Sequence, residues 1–155
     1  MSHPPLPTTQ SAVHAIEAMA ARHGREVRAQ HDIGRDRTFA GLVGADGTGS
    51  SGGSGSSELD AIPHEALLEI AGRPAVTVRL FVHDEAVVSL DGIAFDVPRD
   101  SVPAFLNSVW TGLVHVKART FPPSTTMVVT VPGEDGYRES VGVHDLTPWI
   151  AGLIT

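Results

Sequence analysis

Eight histidines stand in 155 residues, and three of them precede an aspartate: His31-Asp32, His83-Asp84 and His144-Asp145. An imidazole beside a carboxylate is a common metal-ligand set, and the same pair can move and orient a proton in hydrolysis. If two of these pairs met in space, the chain would be a small hydrolase or a metal-dependent enzyme. The spacing argues against it. No His-x-x-His or His-Glu-x-x-His occurs, so no helix turn presents two imidazoles on one face. The pairs fall where turns and strand ends are expected, and turns favour aspartate. Surface polar residues at element ends is the better reading. No catalytic residue, metal ligand or cofactor is assigned.

Other chemical signals fail for lack of context. Gly47-Thr-Gly49-Ser-Ser-Gly52 has the glycine spacing of a dinucleotide-binding turn, and Gly49-Ser-Ser51-Gly-Gly53 that of a nucleophile elbow. Each needs a strand before it and a helix immediately after. Here more glycine and serine follow. Ser89, Ser101, Ser108, Ser124 and Ser140 stand in no context that supports a nucleophile, and Glu134-Asp135 falls in an expected turn. Five arginines between residues 22 and 37 suggest a DNA-binding regulatory patch, but Glu26, Asp32 and Asp36 interleave with them. That pattern is a solvated face.

Composition narrows the classes further. Net charge is −7 and cysteine is absent, which removes disulfide frameworks, zinc–cysteine sites and cysteine nucleophiles. The acidity argues against nucleic acid as a partner. Apolar residues reach 41% but aromatics only 5%, so the core must be mostly aliphatic. Ten of the eleven basic residues are arginine, as in a GC-rich bacterial genome. With no signal-peptide pattern and no apolar run of membrane-spanning length, a cytoplasmic protein without membrane contact is expected.

The elements that must position any site fall into two parts. Residues 44–57 hold six glycines and five serines, which predicts a flexible coil spanning about 20 Å. It reads either as a native linker or as an engineered join between two polypeptides. Before it, residues 1–43 form an N-terminal arm or tethered partner segment. Its helix is expected at 9–23, with strands at 26–33 and 38–43. Val13, Ile16 and Ala20 give the helix a thin apolar face, marginal unless docked.

Residues 58–155 read as the domain. Pro63 and Gly72 bracket an expected helix, and Ala75–Val82 alternates as a strand. Asp91-Gly92 between Ala86–Leu90 and Ile93–Val97 predicts a two-residue type I′ hairpin. Its register pairs Leu90 with Ile93, Val88 with Phe95 and Ala86 with Val97. Asp100 or Ser101 should cap a core helix running from Val102 through Trp110 to Val114. Phe121–Ser124 reads as a loop, Thr125–Val131 and Tyr137–Val143 as strands. Thr147 caps a last helix carrying Trp149 and Ile150.

The fold class is therefore α+β: helix-βββ-helix-ββ-helix, with an antiparallel sheet, helices packed mainly on one face, and a helical arm. This order and the acidity of 58–155 are similar to those of class I type III secretion chaperones and the related small bacterial proteins of that fold. The likeness implies a dimeric adaptor that binds an extended segment of a partner. The function expected is a non-catalytic, chaperone-like protein-binding module, alone or as a homodimer, packing its arm or an equivalent partner segment against its sheet. Val13, Ile16, Phe39, Trp110, Trp149 and Ile150 are the candidate partner-binding residues.

Overall fold

A computed structural model describes residues 4–31, 65–81 and 83–154. The class is α+β, with antiparallel sheets of five and three strands. Helix α1 (Thr9–Arg22) begins at a capping box, where the Thr8 hydroxyl accepts from Ser11 N and the Ser11 hydroxyl accepts from Thr8 N. It stops at Gly24, whose φ of +64° suits glycine. Strand β1 (Val27–His31) follows.

The five-stranded sheet is an antiparallel meander of β1, β2 (Ala66–Ile70), β3 (Val76–Leu80), β4 (Glu85–Leu90) and β5 (Ile93–Pro98). The β4–β5 register matches the hairpin expectation pair for pair. Both turn residues take positive φ, +48° at Asp91 and +94° at Gly92, which is what a type I′ turn demands. Ala66, Leu68, Ile70, Val76, Val78, Leu80, Ala86, Val88, Leu90, Ile93, Phe95 and Val97 all point to one buried face.

The helix expected between Pro63 and Gly72 is a correction: 66–70 is strand β2. Its burial alternates, with Ala66, Leu68 and Ile70 inward and Glu69 out. It pairs with β1 on one side and β3 on the other. A short apolar run is compatible with either period, and tertiary pairing decides. Gly72, at φ +122°, turns the chain into β3 instead of ending a helix.

After β5 a single 3-10 turn (Arg99–Ser101) leads into α2 (Val102–Trp110). The expected side-chain cap is absent. Ser101 makes no capping bond; its hydroxyl donates to Glu134 Oε1 at 2.5 Å, and Asp100 Oδ1 accepts from Leu6 N at 2.7 Å. The helix also ends one turn earlier than its apolar stripe suggests. Gly112 takes φ +87°, Leu113 N bonds back to Ser108 O, and Val114 opens a new strand.

That strand, β6 (Val114–Thr120), pairs with β7 (Pro123–Val129), which pairs with β8 (Tyr137–Ser140). The loop expected at 121–124 is thus the tip of a β6–β7 hairpin. Val114, Val116, Met127 and Val129 are its buried row. A second 3-10 turn (Val143–Asp145) precedes α3 (Pro148–Gly152), whose Thr147 hydroxyl accepts from Ile150 N, as expected of the cap. Past α3, Ile154 forms a parallel bridge with Val116.

Helix α1 belongs to the same core. Ala12, Ile16 and Ala20 have no exposed surface, and the helix packs on α2 and β2. The expected strand at 38–43 and the glycine–serine stretch lie outside the described residues.

Candidate functional site

Alternation along β6, β7 and β8 sorts their side chains onto two faces. One face is the buried row. On the other, β6 contributes His115, Lys117 and Arg119, β7 contributes Ser124, Thr126 and Val128, and β8 contributes Arg138 and Ser140. Register sets the neighbours: Lys117 opposite Thr126, Arg119 opposite Ser124, and Val128 between His115 and Arg138. Directly opposite side chains on a sheet start about 4.5–5.5 Å apart, and successive ones on a strand roughly 7 Å apart. Three cations and two hydroxyls therefore share one small area.

That area is concave. Lys117, Arg119, Ser124, Thr126, Val128 and Arg138 line a hollow of about 300 Å³. The strands place no carboxylate on this face, because Glu139 falls on the opposite one, across from Met127. Lys117, Arg119 and Arg138 are exposed, and among the described residues none of the three is in an ion pair. Lys117 is the only lysine of the chain. A chain of net charge −7 thus carries three exposed cations around one depression, an arrangement suited to binding an anion.

The hairpin that carries this face projects. From Lys117 to Ser124 every residue is exposed on both faces. Phe121 at its tip is 93% exposed, and Val143 is 82% exposed. Val141 N bonds to Thr125 O, so the chain after β8 runs back beside β7 toward that tip. The basic hollow therefore lies next to an apolar end.

A second hollow, of about 470 Å³, lies at the ends of β4 and β5. Its polar lining is acidic: Asp84, Glu85 and Asp96, beside Phe81. Asp84 is engaged by the buried Arg99, 3.0 Å away. A carboxylate-lined depression is ordinary in an acidic domain, so the smaller basic hollow is the more informative of the two.

Of the six residues picked from the sequence, five lie among the described residues. Val13, Ile16 and Ile150 are buried in the core of the chain itself. Trp110 is half-buried between the His23 ring, 5.2 Å away, and the Arg25 guanidinium, 5.7 Å away. Trp149 packs partly against the core. Phe39 lies outside the described residues. Of the His-Asp pairs, His83 and His144 are exposed, and His31 lies in β1. Among the described residues no group of three or more His, Asp or Glu is placed to hold a metal. Of the arm's five arginines, three are described: Arg22 ends α1, Arg25 covers Trp110 and Arg28 is exposed on β1; Arg35 and Arg37 lie outside the described residues.

Sequence reasoning missed the basic face because it missed β6. Val-His-Val-Lys-Ala-Arg-Thr over 114–120 alternates apolar and basic residues, and Gly112 marks the preceding helix stop. Both signals were present. Comparison of the chain with family models, with curated proteins and with solved structures gives no match.

Proposed function

We propose that the chain is a non-catalytic adaptor that receives an anionic, extended segment of a partner protein on the basic face of its three-stranded sheet. The observation that carries this reading is the grouping of Lys117, Arg119 and Arg138 around one hollow, on a face where the three described strands place no carboxylate. Three cations are too few for tight, non-specific nucleic-acid binding, where each neutralised phosphate adds to affinity. They suit a short acidic stretch of protein. Phe121, exposed at the hairpin tip next to Arg119 and Ser124, supplies an apolar anchor of the kind that interfaces bury at their centres. A bacterial cytoplasmic setting accords with the arginine-rich, cysteine-free composition.

The test is fluorescence anisotropy with a labelled glutamate-rich peptide of about the length the hairpin presents, roughly 3.3 Å per residue. Saturable binding that weakens with added salt is expected. The triple variant Lys117→Glu, Arg119→Glu, Arg138→Glu should abolish it without altering the circular dichroism spectrum. Equal binding by the parent and the triple variant would refute the reading.

A further inference from the structure

We infer that the hollow between β6, β7 and β8 is a phosphoryl site, and that the partner segment it takes carries a phosphorylated serine or threonine. This rests on the adaptor reading above and names the chemistry of its ligand. The argument is one of donors. A carboxylate has two oxygens and one charge, and a single arginine satisfies it in a bidentate pair. The hollow offers more: two guanidinium forks, one ammonium and two hydroxyls, all lining the same depression. A phosphorylated side chain brings three terminal oxygens and close to two negative charges at neutral pH.

The placement of the hydroxyls strengthens the case. Ser124 and Thr126 sit on the central strand, with Arg119 and Lys117 opposite them on β6. Arg138 enters from β8, opposite Val128. The cations thus approach from the two outer strands and the hydroxyl donors stand between them. A strip of cations alone would serve any anion; hydroxyls on the middle strand add directed hydrogen bonds to an oxygen-rich group. The hollow, at about 300 Å³, is small. The exposed Phe121 beside it favours a peptide, whose neighbouring side chain it can cover, over a free anion.

The experiment is amide chemical-shift titration of the full chain with three probes at constant ionic strength: inorganic phosphate, an acetylated Gly-phosphoserine-Gly amide, and the same peptide with glutamate in place of phosphoserine. Saturating shifts at Lys117, Arg119, Ser124, Thr126 and Arg138 are expected with the first two. The glutamate peptide should bind at least tenfold more weakly than the phosphopeptide. Arg138→Gln and Thr126→Val should each weaken phosphopeptide binding severalfold while leaving the unfolding midpoint unchanged. Equal affinity for the glutamate and phosphoserine peptides would overturn the phosphoryl inference and leave the adaptor reading standing. Failure of all three probes, together with the longer glutamate-rich peptide, would overturn both. Tighter binding to phosphatidate vesicles than to the phosphopeptide would also overturn the inference, and assign the hollow to a lipid headgroup.

Discussion

The Tyr137 hydroxyl donates a 2.7 Å hydrogen bond to Glu134 Oε2, while the other oxygen of that carboxylate accepts from Ser101. Glu134 thereby ties the β7–β8 turn to the entry of α2. Burial, and next the bond to Glu134, push the Tyr137 hydroxyl up from 10.0 to about 12. Tyr137 is the chain's only tyrosine, so the ultraviolet absorbance of tyrosinate reports it alone. The native protein should titrate near pH 12. Glu134→Gln should lower the midpoint but leave it above 10, because burial remains. The unfolded chain loses this proton near pH 10. The stability contributed by neutral Tyr137 is therefore whole below pH 10 and lost as pH rises toward 12. A native midpoint near 10 would contradict the account.

Asp91 holds three things at once. It takes the positive φ of the hairpin turn. Its Oδ1 accepts from Ala75 N and its Oδ2 from the Thr147 hydroxyl, both at 2.7 Å. Thr147 is also the cap of α3, so one carboxylate links the β4–β5 turn, the start of β3 and the last helix. Asp91→Ala removes both acceptors and places alanine where its Cβ is disfavoured. A loss of about 2 kcal/mol is expected in urea unfolding. Asp91→Asn keeps the turn preference and one oxygen acceptor, and should cost about half as much. A loss below about 0.5 kcal/mol for Asp91→Ala would show that neither the bonds nor the turn conformation of Asp91 contributes.

Ile16 lies wholly inside the core, on a helix that packs against α2 and β2. Ile16→Ala should cost roughly 2–5 kcal/mol, as for other fully buried aliphatic side chains. Unfolding should stay a single transition by both far-ultraviolet circular dichroism and tryptophan fluorescence. A separate early transition of helical signal would mean that α1 unfolds independently of the sheet.

The legible parts of the fold are those where local chemistry and pattern agree. Asp91-Gly92 fixed its turn and its register together, because a one-residue slip would turn every apolar side chain outward. Thr147 before Pro148 located α3 for the same reason. Residues 66–70 were ambiguous, since five residues cannot separate a helical from a strand period. Here neighbours on both sides decide. The basic face was harder still. Lys117 and Arg119 lie near each other in sequence, but Arg138 joins them only through the β7–β8 pairing. Val13, Ile16 and Ile150 lie on apolar stripes that are buried within the chain, and such a stripe identifies a buried face without saying what buries it.

Strands β1 and β2 are antiparallel partners, with His31 directly across from Ala66. The described part of the fold thus fixes where the segment between them begins and ends, at adjacent points of one ladder. A cut made between β1 and β2 would divide the fold into two pieces, α1–β1 and the rest. Such halves would meet through the β1–β2 ladder and the inward face of α1. Placing the halves on different molecules would convert the protein into a reporter of proximity, with the basic face of the larger half left free.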